Sequence, residues 1–151
     1  MNKEKFTLLV LECEETLFRI SVSMLKNEKD AEDATQTAIL KAYEKISTLK
    51  EERYFKTWLV RILINICNRQ LKQKSRFTDL KNNLYSTDIS FDKIEVRTAI
   101  ESLSLKIRQV VVLHYLEQFS TKEISFILKI PKGTVLSRLS KGRELLRIEL
   151  E

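Results

Sequence analysis

A chain of 151 residues with 43% hydrophobic content can fill one core or two small ones, and 27 Lys and Arg against 21 Asp and Glu leave a formal charge of +6 that favours anionic partners. Two cysteines without CxxC spacing, one histidine and two well-separated glycines leave no disulfide framework, no zinc motif and no phosphate-cradling glycine loop. Nothing marks a catalytic site, a cofactor, a metal or a small-molecule substrate, so an enzyme reading starts weak, with catalysis by unaided carboxylates left open. The richest apolar stretch, Trp58 to Ile66, is broken by Arg61 and Asn65, and the N-terminal MNKEKFTLLVLECEE lacks a small-residue cleavage site; a cytoplasmic protein is expected.

From Phe6 to Leu25 apolar residues recur at helical spacing, and Lys26-Asn27-Glu28-Lys29 interrupts them. A second helix is expected with Asp30 as its cap and Glu32 and Asp33 in its first turn, where acids suit the helix dipole. Its apolar stripe is Ala31, Ala34, Thr35, Ala38, Ala42, Ile46 and Leu49, small enough for a neighbouring helix to approach closely. After the break at Lys50-Glu51-Glu52-Arg53, a third helix places Phe55, Trp58, Leu59, Ile62, Ile66 and Cys67 on one face and ends among Lys72, Lys74 and Arg76. Cys13 and Cys67 lie in apolar surroundings and read as small core residues.

Residues 75–93 lose the periodicity and gain Ser, Asn, Asp and Thr, which predicts a linker between an N-terminal domain, 1–74, and a C-terminal domain, 94–151. Leu84, Tyr85, Ile89 and Phe91 leave open the alternative that this stretch packs onto one of them. Beyond it Val96, Ile100 and Leu103, then Ile107, Val110, Val111 and His114, return to helical spacing despite the valines. Phe119-Ser120-Thr121-Lys122-Glu123-Ile124 is a capping box with a staple. The helix it opens must stop before Pro131, which suits the first turn of a last helix burying Val135, Leu139, Leu146 and Ile148 or Leu150. The expected fold is all-α: two small helical domains joined by a flexible linker, the second holding a helix-turn-helix.

Residues Lys129, Lys132, Arg138, Lys141 and Arg143 follow one another without an intervening acid, and Ser137 and Ser140 lie among them. Such a face is either simply solvated or suited to docking in a DNA major groove. A second acid-free run holds Arg61, Arg69, Lys72, Lys74 and Arg76. A basic helix C-terminus is commonplace for dipole reasons, but two runs in two domains favour a bipartite nucleic-acid binder.

The segments DAEDATQTAILKAYEKI (Asp30 to Ile46), FKTWLVRILINICNRQLK (Phe55 to Lys72) and LEQFSTKEISFILKIPKGTVLSRLSKGRELL (Leu116 to Leu146), in this order, resemble an extracytoplasmic-function (ECF) sigma factor, the minimal bacterial sigma factor with regions 2 and 4 only. The resemblance implies a subunit that directs core RNA polymerase to promoters, binds the β′ clamp helices and β flap, and is held inactive by an anti-sigma factor, often membrane-anchored. It implies polymerase contacts at Asp33, Gln36, Ile39, Leu40 and Lys41. Contacts to the −10 element are implied at Lys50, Arg53, Tyr54, Arg61, Asn65 and Arg69, with an unstacked base captured in the loop Lys50 to Tyr54 and Trp58 mainly packing. Contacts to the −35 element are implied at Lys132, Leu136, Ser137, Arg138, Ser140 and Lys141, with Thr121 and Lys122 on phosphate, and His114 matches a position near phosphate.

The chain departs from the family at several of these positions. Thr37 stands where glutamate is frequent, Ile39 where phenylalanine is, Arg69 where an acid is, Leu136 where Arg or Lys is, and Gly142 where alanine is. A leucine cannot hydrogen-bond a base edge, but it can touch a thymine methyl. Two other readings fit parts of the sequence: a stand-alone helix-turn-helix regulator dimerising on a palindrome, and a helical adaptor of RNA polymerase that reads no DNA.

Overall fold

The computed structural model describes residues 1–77 and 94–151. They belong to two compact units, one within Met1–Ser86 and one within Thr87–Glu151. No strand occurs among the described residues. Most of the expected linker lies outside them, but Ser75–Phe77 belong to the third helix, which therefore runs past the boundary placed at residue 74.

The first unit is built from α1 (Lys3–Leu25), α2 (Glu28–Glu44) and α3 (Phe55–Phe77), each packed on the other two. Asn2 caps α1 by accepting from the Lys5 N–H at 2.8 Å. Lys26 closes α1 in left-handed geometry, φ 55°, returning its N–H to Val22 O. Asp30 is not the cap of α2. Asn27 takes that role, its side-chain oxygen accepting from the Asp30 N–H at 2.9 Å, so the helix begins at Glu28. Asp30 instead receives Lys74 Nζ from α3 at 2.8 Å.

Ala31, Ala34, Ala38 and Ala42 are fully buried, and without bulk on that stripe α1 and α3 come close. The stripe ends with the helix. Ile46 lies in a 3₁₀ turn, Ile46–Thr48, and both Ile46 and Leu49 are half-buried. A second 3₁₀ turn, Glu52–Tyr54, leads into α3.

The buried face of α3 is broader than the spacing predicts. Phe55, Leu59, Val60, Leu63, Ile64, Ile66 and Cys67 are buried, whereas Trp58 and Ile62 stand at its edge, half-buried. A helix covered by two neighbours buries about half its circumference, more than a single stripe. An aromatic chain ties the three helices together. Phe6 meets Tyr43 and Phe55 edge-on at 5.2 and 5.7 Å, and Phe55 meets Trp58 at 5.9 Å.

The second unit holds α4 (Ile94–Glu101), α5 (Leu105–Val111) with a π turn at Val112–Leu116, α6 (Thr121–Leu128) and α7 (Lys132–Leu150). The valine-rich stretch is helical, as its spacing predicts, and ends in the π turn because Glu117 N–H bonds Val112 O. Arg108 is buried and donates to Leu103 O at 2.6 Å, closing the connection between α4 and α5.

Both halves of the capping box form at α6: Glu123 N–H donates to Ser120 Oγ at 3.1 Å, and Ser120 N–H donates to Glu123 Oε1 at 2.8 Å. On α7 Val135, Leu139 and Gly142 are buried and Leu146 is half-buried. Ile148 and Leu150, one of which was expected in the core, are 62% and 46% exposed. Periodicity identifies which face of α7 turns inward, but not how far along it α4, α5 and α6 reach.

Candidate nucleic-acid interface

In the helix-turn-helix, Lys129 closes α6 in left-handed geometry, φ 56°, a conformation that glycine adopts without cost. Ile130 N–H then reaches back to Ser125 O at 3.2 Å, a Schellman closure. Ser125 Oγ donates to Ile130 O at 2.6 Å, so one serine holds the turn by backbone and side chain alike. Pro131 follows in extended geometry and is the cap of α7 rather than its first helical residue. No acid lies in the first turn of α7, and no side chain caps it.

Successive helical residues are turned by about 100°, so α7 sorts its polar positions onto different sides. Gly133, Leu136, Ser137 and Ser140 share one exposed arc, with Lys132 and Arg143 on one flank and Lys141 on the other. Arg138 does not join them. It is half-buried and faces roughly opposite to Leu136. Ser137 Oγ donates to Thr134 O at 3.1 Å, while Lys141 stands 3.9 Å from Glu144 in a half-exposed pair of little strength. Arg143, absent from the predicted contact set, donates to Tyr115 OH at 2.9 Å.

On α6 Thr121 is half-buried and Lys122 exposed. His114 is half-buried, with Nδ1 2.9 Å from Phe119 O and its ring against Tyr115, so it has a partner within the fold.

In the first unit α3 carries Arg61, Asn65, Arg69 and Lys72 along the side opposite the core face, with Trp58 at the edge between the two. Asn65, Arg69 and Lys72 are exposed and Arg61 half-buried. At the start of α3 the exposed residues Lys50, Arg53 and Tyr54 lie on the loop with the second 3₁₀ turn. The Arg53 guanidinium sits 4.8 Å above the Tyr54 ring and 3.3 Å from Glu51, presenting a cation beside a half-exposed aromatic face. That pairing has no sequence periodicity to announce it.

The side of α2 away from the alanines gathers Asp33, Gln36 and Leu40, all exposed, Leu40 at 66%. Ile39 and Lys41 are not on it: they lie half-buried on opposite flanks. Thr37 and Tyr43, not among the predicted contacts, are exposed on this side and its edge.

Cys13 and Cys67 are buried, free thiols. Burial pushes both upward in pKa, Cys67 to about 12 despite a contact with Ser21 Oγ that acts the other way. Both are therefore protonated and unreactive near neutrality. No group of three or more His, Cys, Asp and Glu able to hold a metal occurs among the described residues.

Known proteins share this arrangement. Sigma-70 region 2 matches residues 9–77 and Sigma-70 region 4 matches residues 93–146. The ECF RNA polymerase sigma factor SigW of Bacillus subtilis is 31% identical over 99% of this chain and 90% of its own length. The ECF RNA polymerase sigma-E factor of Escherichia coli K12 is 28% identical over 95% and 85%. Among solved structures, the sigma factor RpoE of Bartonella quintana, crystallised with the anti-sigma factor NepR, has a TM-score of 0.83 at 24% identity, covering 97% of each chain. CnrH, in complex with the cytosolic domain of CnrY, has a TM-score of 0.75 at 22% identity, covering 99% of this chain and 89% of its own. By the fold of both units and by its likeness to these relatives along nearly its full length, the chain belongs to the ECF RNA polymerase sigma factors, which are transcription initiation factors and not catalysts.

Proposed function

We propose that this sigma factor divides promoter recognition between its two units, the first, through the end of α3 at Phe77, on the −10 element and core polymerase, and 94–151 on the −35 element and the β flap, with the residues between α3 and α4 as the linker. The observation that carries the reading is the presence of an acid-free basic stretch on each unit, on α3 from Arg61 to Lys74 and from the turn into α7 from Lys129 to Arg143. Cations so arranged neutralise phosphates and supply most of the affinity for DNA.

In the first unit, Arg53 and Tyr54 are the platform for a base taken out of the stack, and Lys50, Arg61, Asn65 and Arg69 line the path of its strand. Asp33, Gln36 and Leu40 form the polymerase contact on α2, flanked by Ile39 and Lys41. In the second unit, Leu136, Ser137 and Ser140 face base edges. Lys122, Lys132 and Lys141 meet phosphates and Thr121 adds its hydroxyl to them, while Arg138, turned away from Leu136, stays outside the contact set.

The neighbour RpoE was solved with the anti-sigma factor NepR and CnrH with the cytosolic domain of CnrY, which supports an inhibitor that masks these surfaces. The partner of one being a cytosolic domain supports a membrane-anchored inhibitor. A cytoplasmic location fits work on chromosomal promoters, and no described helix is long and apolar enough to cross a membrane.

The test adds purified chain to core polymerase with a promoter library and scores run-off transcripts. Transcripts dependent on both elements are expected, and Leu40→Ala is expected to weaken core binding. Absence of transcripts together with tight binding to a palindromic duplex by the chain alone would establish the stand-alone regulator instead.

A further inference from the structure

Leu136 is 49% exposed, and among the exposed residues in the first three turns of α7 it is the only apolar side chain larger than glycine. A scattered exposed leucine on a protein surface needs no explanation. Its surroundings here are more particular. One turn earlier, Gly133 has nothing within 4 Å of the place a Cβ would occupy, so the surface beside Leu136 is open and low. One turn later, Ser140 presents a hydroxyl with no partner among the described residues. The neighbouring Ser137 hydroxyl has its proton engaged by Thr134 O, which leaves its oxygen free to accept. Lys132 and Lys141 bound the arc on either flank.

A helix presenting this arc to a major groove meets four kinds of base pair. A leucine side chain has no donor or acceptor to offer any of them. The one apolar group exposed on a base edge there is the 5-methyl of thymine. A guanine or adenine edge facing Leu136 would instead lose water from its acceptors without gaining a partner.

We infer that Leu136 is a specificity-determining residue, reading one thymine of the −35 element through its 5-methyl group. This rests on the proposed role of α7 in binding that element. Leu136 then selects by apolar contact and by excluding unpaired base acceptors, while Ser137 and Ser140 accept from or donate to the adjoining bases.

Deoxyuridine differs from thymidine only by the absent methyl and isolates this contact. Holoenzyme assembled from core polymerase and the full chain is titrated with promoter duplexes in which each −35 thymine is replaced singly by deoxyuridine. At one position the substitution should weaken binding about three- to fivefold, the cost of exposing one methyl group. With Leu136→Ala, thymine and uracil should bind equally there, while other positions keep their wild-type behaviour. Leu136→Gln, a second route to the same loss, should exchange the methyl preference for one toward adenine. No sensitive position in the wild type, or a sensitivity that survives both substitutions, overturns the inference. Should binding prove indifferent to the −35 sequence altogether, the proposed role of α7 fails; sequence dependence without a uracil effect removes Leu136 alone.

Discussion

Gly142 and Val111 meet with no room for a methyl group between them: a Cβ on Gly142 would stand 2.6 Å from Val111 Cγ2 and 3.2 Å from Ile107 Cγ2. Both neighbours are β-branched and stiff at χ1, so neither can swing away cheaply. This contact is where α7 crosses α5, and it accounts for a glycine inside a helix that alanine would otherwise favour.

Gly142→Ala is therefore expected to destabilise the C-terminal unit. The gain in helix propensity is about 1 kcal/mol. Overpacking costs about 1–3 kcal/mol and wins on balance. Adding Val111→Ala should recover part of the loss, so that thermal unfolding of the two single variants and the double gives a favourable coupling of about 1 kcal/mol. Strictly additive effects would mean that α7 shifts rather than clashes.

Lys129 stands in left-handed geometry at the turn of the helix-turn-helix, φ 56°, where a side chain brings strain and glycine does not. Lys129→Gly should raise the stability of this unit by about 0.5–1 kcal/mol, the strain relief exceeding the entropy that glycine adds to the unfolded chain. Lys129→Ala keeps the strained conformation and loses the charge, so it should bring no such gain. Chemical denaturation of both variants separates the two effects.

Several features of the fold were legible because they rest on local chemistry. The capping box at Ser120 and Glu123 needs only two residues three apart, and the alanine stripe on α2 only a period. Asp30 misled for the same reason. Asn27 precedes it by three residues and is an equally good acceptor, and only the path of the chain decides which one caps. The spacing makes the buried side of α3 too narrow because a period gives the direction of a core, not the number of helices covering it. Arg138, Ile39 and Lys41 enter the contact sets through the family resemblance, whereas about 100° per residue turns Ile39 and Lys41 toward the flanks of α2 and Arg138 away from Leu136. The pairing of Arg53 with Tyr54 depends on a 3₁₀ turn that no pattern predicts.

On the proposed reading, the cations of α7 should make separable contributions to DNA binding. Lys141→Ala should weaken holoenzyme binding to all promoter variants alike and lower the slope of log K against log salt concentration by about 0.9, one phosphate contact. Glu144→Gln should do the opposite to a smaller degree, since Glu144 is the acid 3.9 Å from Lys141. Arg138→Ala should cost thermal stability more than affinity, because its half-buried stem covers apolar surface away from the exposed arc. A Lys141→Ala variant that changed base preference while leaving the salt slope intact would assign the residue to base readout instead.

Cys67 gives the first unit an alkaline limit. Its thiol is held up to about 12 by burial, against an ordinary value of 9.0 that applies once the chain unfolds. Between those values the folded state keeps a proton that the unfolded state has lost, so stability falls as pH rises. The contribution is fully present below pH 9 and disappears progressively as the pH approaches 12. Cys67→Ala removes the titrating group from a fully buried position, so the variant should start less stable near neutrality yet lose stability less steeply between pH 9 and 11. Lysine and tyrosine titrations are common to both proteins and cancel in the comparison of slopes. Thiol-reagent kinetics offer a second check: Cys67 should resist modification in the folded chain at pH 8 and react on unfolding. Equal slopes for the two proteins, with rapid modification of native Cys67, would mean that this thiol is reached by solvent and carries no linkage.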